Sequence, residues 1–324
     1  MKPQNKHYRQ LTQGQRYQIQ ALHSNGFAQR RIAESIGVHH SSISRELRRN
    51  SSQGIYGAKS ANLLKDRRKM TAIKFKKYDE RHAEILRNGL IMGWSPENMS
   101  ARMQLEIPSI ALSPTTIYRR IREDKAAGGC LYKLLPRFGK RRWKGGKRKA
   151  GRSMIPARVD ISQRPAIVEQ RSRLGDWEGD TVYGQDASLV TLVERKSLLT
   201  LIGKVEDKTA ETVSNMMINM LNRVDTVHTI TLDNGGEFAQ HQRVAKATGS
   251  QIFFARPYAS YQRGTNENTN GLIRRCWPKK MCMGPLSKQE IRDMELRLNM
   301  TPRKVLLGLT PIEAYTGCRV ALIA

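Results

Sequence analysis

The chain has 324 residues, enough for two or three domains. Its 57 Lys and Arg stand against 28 acids, a formal charge of +29, which argues against a small-molecule enzyme and for a polyanion partner, DNA or RNA above all. No stretch nears the ~20 apolar residues of a membrane span, and Met1–Lys6 is polar, so a soluble, cytoplasmic, nucleoid-associated protein with no membrane partner is expected.

Four regions follow one another: residues 1–70, compact and helical; 71–130, a second helical unit; 131–170, a basic linker; and 171–324, an α/β domain. The fold class is therefore multidomain, α followed by α/β. Cys130, Cys276, Cys282 and Cys318 contain no Cys-x-x-Cys pair, so neither a zinc site nor a disulfide framework is expected.

In the first region, Thr12 is placed to cap a helix running to about Asn25. Ile32, Ala33 and Ile36 then share one helical face, Gly37 stops that helix, and Val38 plugs the turn. A second helix follows with Ile43 and Leu47 inward. His40, Ser41, Ser42, Ser44, Arg45, Arg48 and Arg49 stay outside. This is a helix-turn-helix whose second helix is fit for a major groove.

In the second region, Ser95-Pro96 and Ser113-Pro114 each pair an N-cap with Pro at the first helical position. Ile117 and Ile121 face inward, and Arg119, Arg120 and Arg122 outward, as in a second, more degenerate helix-turn-helix. The stretch Lys133 to Arg164 holds twelve Lys and Arg and one acid, Asp160. Gly139, Gly145, Gly146 and Gly151 forbid a stable helix there. Lys140, Arg141, Arg142, Lys147, Arg148 and Lys149 are expected to track DNA phosphates. Trp143 suits either a base stack or a local contact.

The last region predicts strands at about 176–183, 188–194 and 198–205, then a helix (209–223), a strand (228–232), a helix (238–248), a strand (251–255) and a helix from about 264. Met216, Met217, Met220 and Leu221 read as core. The order β-β-β-α-β-α-β-α brings three distant acids to one sheet edge. One is on the first strand, where Asp176, Glu178 and Asp180 alternate onto one face and spacing does not choose among them. Asp233 ends the fourth strand before Asn234-Gly235-Gly236, whose small residues let backbone pass close to metal and phosphate. Glu267 opens the late helix, with 33 residues between it and Asp233. A strand acid, a strand-end acid and a helix acid suit two metal ions ~4 Å apart, which can hold the attacking and leaving oxygens of a phosphodiester. Asn270, Gly271 and Arg274 share the face of Glu267, and Arg274 is placed to hold a phosphate. Arg263 and Arg275 are outer phosphate contacts in this reading.

These motifs resemble the DDE transposases of the insertion-sequence-30 family, whose catalytic domain is similar to ribonuclease H and retroviral integrases. Gly175-Asp176-Trp177-Glu178-Gly179-Asp180-Thr181 resembles the first catalytic motif, whose final Asp is the ligand, and this selects Asp180. Asp233-Asn234-Gly235-Gly236-Glu237-Phe238 resembles the second motif, and Asn266-Glu267-Asn268-Thr269-Asn270-Gly271-Leu272-Ile273-Arg274 the third. Leu47-Arg48-Arg49-Asn50 and the run Leu189 to Ser197 are also similar to the family. Two segments depart from it: Cys276-Trp277-Pro278-Lys279-Lys280-Met281 and Asn299-Met300-Thr301-Pro302-Arg303-Lys304.

The resemblance implies helix-turn-helix units followed by a ribonuclease-H-like mixed sheet. It implies that Asp180, Asp233 and Glu267 hold two Mg²⁺ ions, with Mn²⁺ as a substitute, and that the protein binds the terminal inverted repeats of its own element. Nicking would free a 3′-OH that attacks another phosphodiester directly, through a circular intermediate with abutted ends. Holding both ends implies at least a homodimer on DNA. A binding-only relative would not need all three acids, and a structure-selective nuclease would not need two DNA-reading units.

Overall fold

The computed structural model describes residues 10–52, 54–71, 78–139, 155–256 and 260–323. The chain forms two compact units, Met1–Lys76 and Lys77–Ala324.

The first unit is built from α1 (Gln13–Ser24), α2 (Gln29–Ile36), α3 (His40–Asn50), a small hairpin of β1 (Ser51–Ser52) and β2 (Ile55–Tyr56), and α4 (Ala58–Thr71). Thr12 caps α1 in a reciprocal capping box with Gln15. Gly37 ends α2 at a φ of 72°, a left-handed conformation that costs a residue with a Cβ. Ile19, Ile32, Ala33, Ile43, Leu47 and Tyr56 close the core, with Val38 packed against it from the turn. Arg16 reaches into this core and pairs with Glu46 at 2.7 Å, and Tyr56 donates its hydroxyl to the same carboxylate at 3.1 Å.

The second unit contains both the middle helices and the sheet. Its helices α5 (Glu80–Ile91), α6 (Pro96–Glu106) and α7 (Pro114–Ala126) enclose Leu86, Leu90, Trp94, Met99, Met103, Leu112, Ile117 and Ile121. Ser95 and Ser113 cap α6 and α7 ahead of the two prolines. A short helix, α8 (Ala166–Gln170), precedes the sheet.

The remaining elements are β3 (Asp176–Tyr183), β4 (Ser188–Glu194), β5 (Thr200–Val205), α9 (Ala210–Leu221), β6 (Thr229–Leu232), α10 (His241–Thr248), β7 (Gln251–Phe254), α11 (Gly264–Cys276), α12 (Lys288–Asn299) and α13 (Pro311–Thr316). The segment expected to be one helix over 238–248 is split: a 3₁₀ turn covers Gly236–Phe238, and α10 begins at His241.

The sheet order is β5-β4-β3-β6-β7. The meander β3-β4-β5 is antiparallel, and β6 and β7 add in parallel. This is the ribonuclease-H-like mixed sheet implied by the motifs. One face packs on α9 and α10 through Trp177, Val190, Leu192, Val213, Met217, Met220, Ile230, Leu232 and Val244. Gly179 sits on that face, where an added Cβ would lie 2.5 Å from Leu232, so close sheet–helix packing requires its missing side chain. The other face packs on α11 and α12 through Val182, Leu189, Ile202, Ile273, Trp277, Ile291, Met294 and Leu298. No helix among the described residues is long and apolar enough to cross a membrane.

Candidate active site

Strand register accounts for the meeting of two of the acids. β3 and β6 run parallel with Asp176 opposite Thr229, Trp177 opposite Ile230 and Glu178 opposite Thr231. Two residues further along, Asp180 and Asp233 come side by side at the end of β6. A single guanidinium lies between them: Arg263 is 3.6 Å from the Asp180 carboxylate and 3.3 Å from that of Asp233. Its Nη1 also donates to the Gly179 carbonyl at 2.9 Å, and its Nε is buried with no partner among the described residues. Asn270, on α11, donates to Asp180 Oδ2 at 2.9 Å, and the Thr181 N–H to Oδ1 at 2.9 Å. The Gly235 N–H donates to Asp233 at 2.9 Å. Burial pushes the Asp180 carboxyl above its usual range; Arg263 opposes this and the neighbouring Asp233 adds to it.

The other two acids of β3 lie on the same face as Asp180 but are already engaged. Asp176 is buried against Arg173, at 2.9 and 3.0 Å, and accepts from Thr229. Glu178 is buried against Arg195 at 2.5 Å and accepts the Asn266 N–H at 3.0 Å. Asp180 alone of these three lines an open cleft.

That cleft measures about 2230 Å³ and is shared by Asp180, Asp233, Arg263, Glu267, Asn270 and Arg274. Glu267 is exposed in the first turn of α11. The structure does not bring it together with the two aspartates: no group of three potential metal ligands forms among the described residues. With Arg263 between them, the two aspartates already share one positive charge. The donors at the site are carboxylate oxygens already holding a cation, and a hard divalent metal fits that set. Arg274 donates to the Tyr183 carbonyl at 2.6 Å from the cleft wall, and Gly271 leaves open space on the same helix.

Two roles were missed in the sequence. Arg263 read as an outer phosphate contact, and nothing in its local pattern shows that it spans two carboxylates. Glu237 read as part of a motif without a task. Its carboxylate accepts from Thr181 at 2.9 Å and from the Tyr183 hydroxyl, tying the strand that carries Asp180 to the turn that follows Asp233. A Cβ at Gly235 would lie 2.4 Å from that carboxylate. Gly235 is therefore small to admit Glu237, a local reason beyond the close approach of metal or phosphate. The Asp-Asn-Gly-Gly-Glu run was the available signal.

On the helix-turn-helix, His40, Ser44, Arg45, Arg48 and Arg49 are exposed on α3, and Ser41 and Ser42 are half-buried near its start. Arg45 donates to Ser41 at 3.1 Å, which fixes its direction along the helix. Arg45→Ala is expected to weaken specific DNA binding by roughly 1–3 kcal/mol, as for a guanine contact. Equal losses on specific and random duplexes in a fluorescence titration would make it a phosphate contact instead. On α7, Arg119 is exposed and lies 3.9 Å from Glu123, whereas Arg120 pairs with Glu123 at 2.7 Å and stacks on Tyr78. Lys140, Arg141, Arg142, Lys147, Arg148 and Lys149, like Trp143, lie outside the described residues.

Residues 7–50 match the family described as helix-turn-helix domain. Over 311 residues the chain is 40% identical to a transposase for insertion sequence element IS4351 of Bacteroides fragilis, covering 94% of this chain and 95% of that one. It is 33% identical over 319 residues to transposase InsI for element IS30A of Escherichia coli K12, covering 94% and 82% of the two chains. A transposase for element IS1086 of Cupriavidus metallidurans is 32% identical, with 94% of each chain covered. Among solved structures, the catalytic core domain of BIV integrase aligns with 44% of this chain and 94% of its own length, at 21% identity and a TM-score of 0.36.

A helix-turn-helix domain stands on the same chain as a mixed sheet with two carboxylates side by side at the end of its inner strand β6, and the long relatives it matches are transposases, so the class is that of DNA-binding polynucleotidyl transferases. The identity along almost the whole length then makes it plain that the chain belongs to the insertion-sequence-30 family of transposases.

Proposed function

We propose that Asp180, Asp233 and Glu267 are the catalytic carboxylates of a transposase that cleaves and joins DNA at the terminal inverted repeats of its own element. One observation carries this reading: Asp180 and Asp233 share a single cationic group at the wall of a cleft that also holds Glu267. Two Mg²⁺ ions, held by these three residues, would supply Lewis acidity to the phosphodiester and its nucleophile. Arg263, which now spans Asp180 and Asp233, would turn from them to neutralise a phosphate oxygen when those carboxylates hold a metal. Asn270 keeps Asp180 oriented, and Glu237 holds the two acid-bearing segments in register.

In the first step water attacks the phosphodiester at the element end and expels a 3′-oxygen, which takes a proton to become a 3′-OH. In the second, that 3′-OH attacks another phosphodiester. One P–O bond forms as another breaks, so strand joining needs no external energy source. The exposed side chains of α3 supply sequence reading, with the basic run Lys140, Arg141, Arg142, Lys147, Arg148 and Lys149 tracking phosphates and Arg119 on α7 as a second contact. The flanks of that run, Leu131–Leu134 and residues 161–170, fold into the second unit. Two element ends held together call for at least a dimer, working at the nucleoid.

The test is incubation of labelled inverted-repeat DNA and Mg²⁺ with the protein and with Asp180→Ala. Nicked and joined strands are expected from the unsubstituted protein alone. Tight binding with no cleavage by either would sink the catalytic reading in favour of a DNA-binding regulator.

A further inference from the structure

The cleft that holds the acids also has a strongly basic wall, formed in part by Arg137, Arg275, Arg297, Arg303 and Lys304. Such a cluster would ordinarily be offset by carboxylates. Here Arg137, Arg275 and Arg303 form no ion pair with any described carboxylate. Lys304 lies near Glu97, and Arg297 is 3.7 Å from the Cys276 thiol. Asp180 and Asp233, on the same cleft, are held by Arg263.

Arg303 is the most constrained of the set. It follows Pro302, and its Nη2 donates to the Leu298 carbonyl at 3.0 Å. Its Nε is buried and has no partner among the described residues. A guanidinium presents five donors in a planar fork, and leaving one buried and unmet is costly. Burial, and then repulsion from Arg275, pulls the Arg303 guanidinium down to about 10. Arg275, though exposed at the surface, is itself pulled down by partial desolvation in the cleft and then by Arg137. Along this cleft wall Arg275 repels Arg303 and Arg137 repels Arg275, and an anion lying among them would relieve both. Fork geometry suits oxyanions, carboxylate or phosphate, that accept two N–H donors at once, and the DNA reading of the chain makes phosphate the relevant one.

We propose that Arg303 and Arg275, flanked by Arg137, form a second phosphodiester-binding site in this cleft, separate from the carboxylates, which grips the DNA strand running to or from them. The proposal rests on the transposase reading for the identity of the anion. The strand is either the element end or the target, and the two differ in which duplex feels the loss of the site.

Full-length Arg275→Gln, Arg303→Gln and the double variant would be titrated with an inverted-repeat duplex and with a random duplex over a range of KCl. The slope of log K against log salt is expected to shallow by about one for each phosphate that the variant no longer neutralises. Weakening confined to the inverted-repeat duplex assigns the site to the element end. Weakening on the random duplex, with end cleavage kept and joining reduced, assigns it to the target. In the absence of DNA the melting temperature of Arg303→Gln should hold or rise, because a like-charge repulsion has been removed. A fall of several degrees with unchanged slopes would make Arg303 a structural residue and overturn the proposal. Arg275 is exposed on α11 and its replacement should not disturb folding, so an unchanged slope for Arg275→Gln alone would also overturn it. Unchanged slopes with intact cleavage sink this site alone, whereas cleavage surviving Asp180→Ala sinks the catalytic reading and leaves the slopes to decide the second site.

Discussion

Asp233→Asn is expected to reduce strand joining by at least roughly 10³-fold, as for removal of one member of a cooperating catalytic set, while inverted-repeat binding is kept. The amide fills the same volume at the end of β6 and still accepts the Gly235 N–H, so the local turn survives. What is lost is half of the negative charge that Asp180 and Asp233 together present to a cation. Arg263 would then face Asp180 alone. The measurement is single-turnover joining with saturating DNA, beside a binding titration. A loss of less than tenfold, with binding intact, would remove Asp233 from the catalytic set. Isothermal titration with Mn²⁺ gives an independent readout, since the variant should bind metal more weakly even without DNA.

The largest stability effect is expected at Arg102, whose neighbours come from three parts of the second unit. The side chain is 1% exposed and pairs with Glu106 at 2.7 Å and with Glu313 at 2.6 and 3.0 Å. It also donates to the Gly308 carbonyl at 3.1 Å and to that of Val320. Glu106 in turn accepts the N–H groups of Leu322 and Ile323. Arg102→Met keeps the apolar stem but leaves Glu313, 2% exposed, without its cation. Breaking a buried pair from one side costs about 3–5 kcal/mol, and urea unfolding of the variant should show it. A change under about 1 kcal/mol would mean that water or rearrangement replaces the pair.

The same network makes stability depend on acid. Burial alone would raise the Glu313 carboxyl, but hydrogen bonds from Arg102 and from the Thr310 and Val320 N–H groups bring it from 4.5 down to about 2. A carboxylate with a depressed folded value contributes its stability in full above the unfolded value near 4.5 and loses it as the pH falls toward 2. Acid unfolding of the second unit should therefore steepen over that window, and Glu313→Gln should flatten it.

Much of the fold could be read along the chain because its signals are local. Thr12, Ser95 and Ser113 cap the helices expected of them, and Gly37 stops α2. Alternation along β3 put Asp176, Glu178 and Asp180 on one face, which is where they lie. Alternation could not say which of the three faces open space. Arg173 and Arg195 settle that by engaging the first two, and their reach depends on packing rather than spacing.

Local chemistry in the sequence thus set the elements and their order, because caps, turn glycines and period-two alternation act within a few residues. The two aspartates meet where the inner strand β6 ends beside β3, rather than at an outer edge of the sheet. Interactions between distant segments lay beyond that range. The span of Arg263 across two carboxylates, the turn of Glu237 back onto β3, and the Arg102–Glu313 pair joining residues 211 apart follow from how helices seat on the sheet. So does the placing of Glu267 on the shared cleft but outside the aspartate pair, since its position follows from where α11 seats on the sheet.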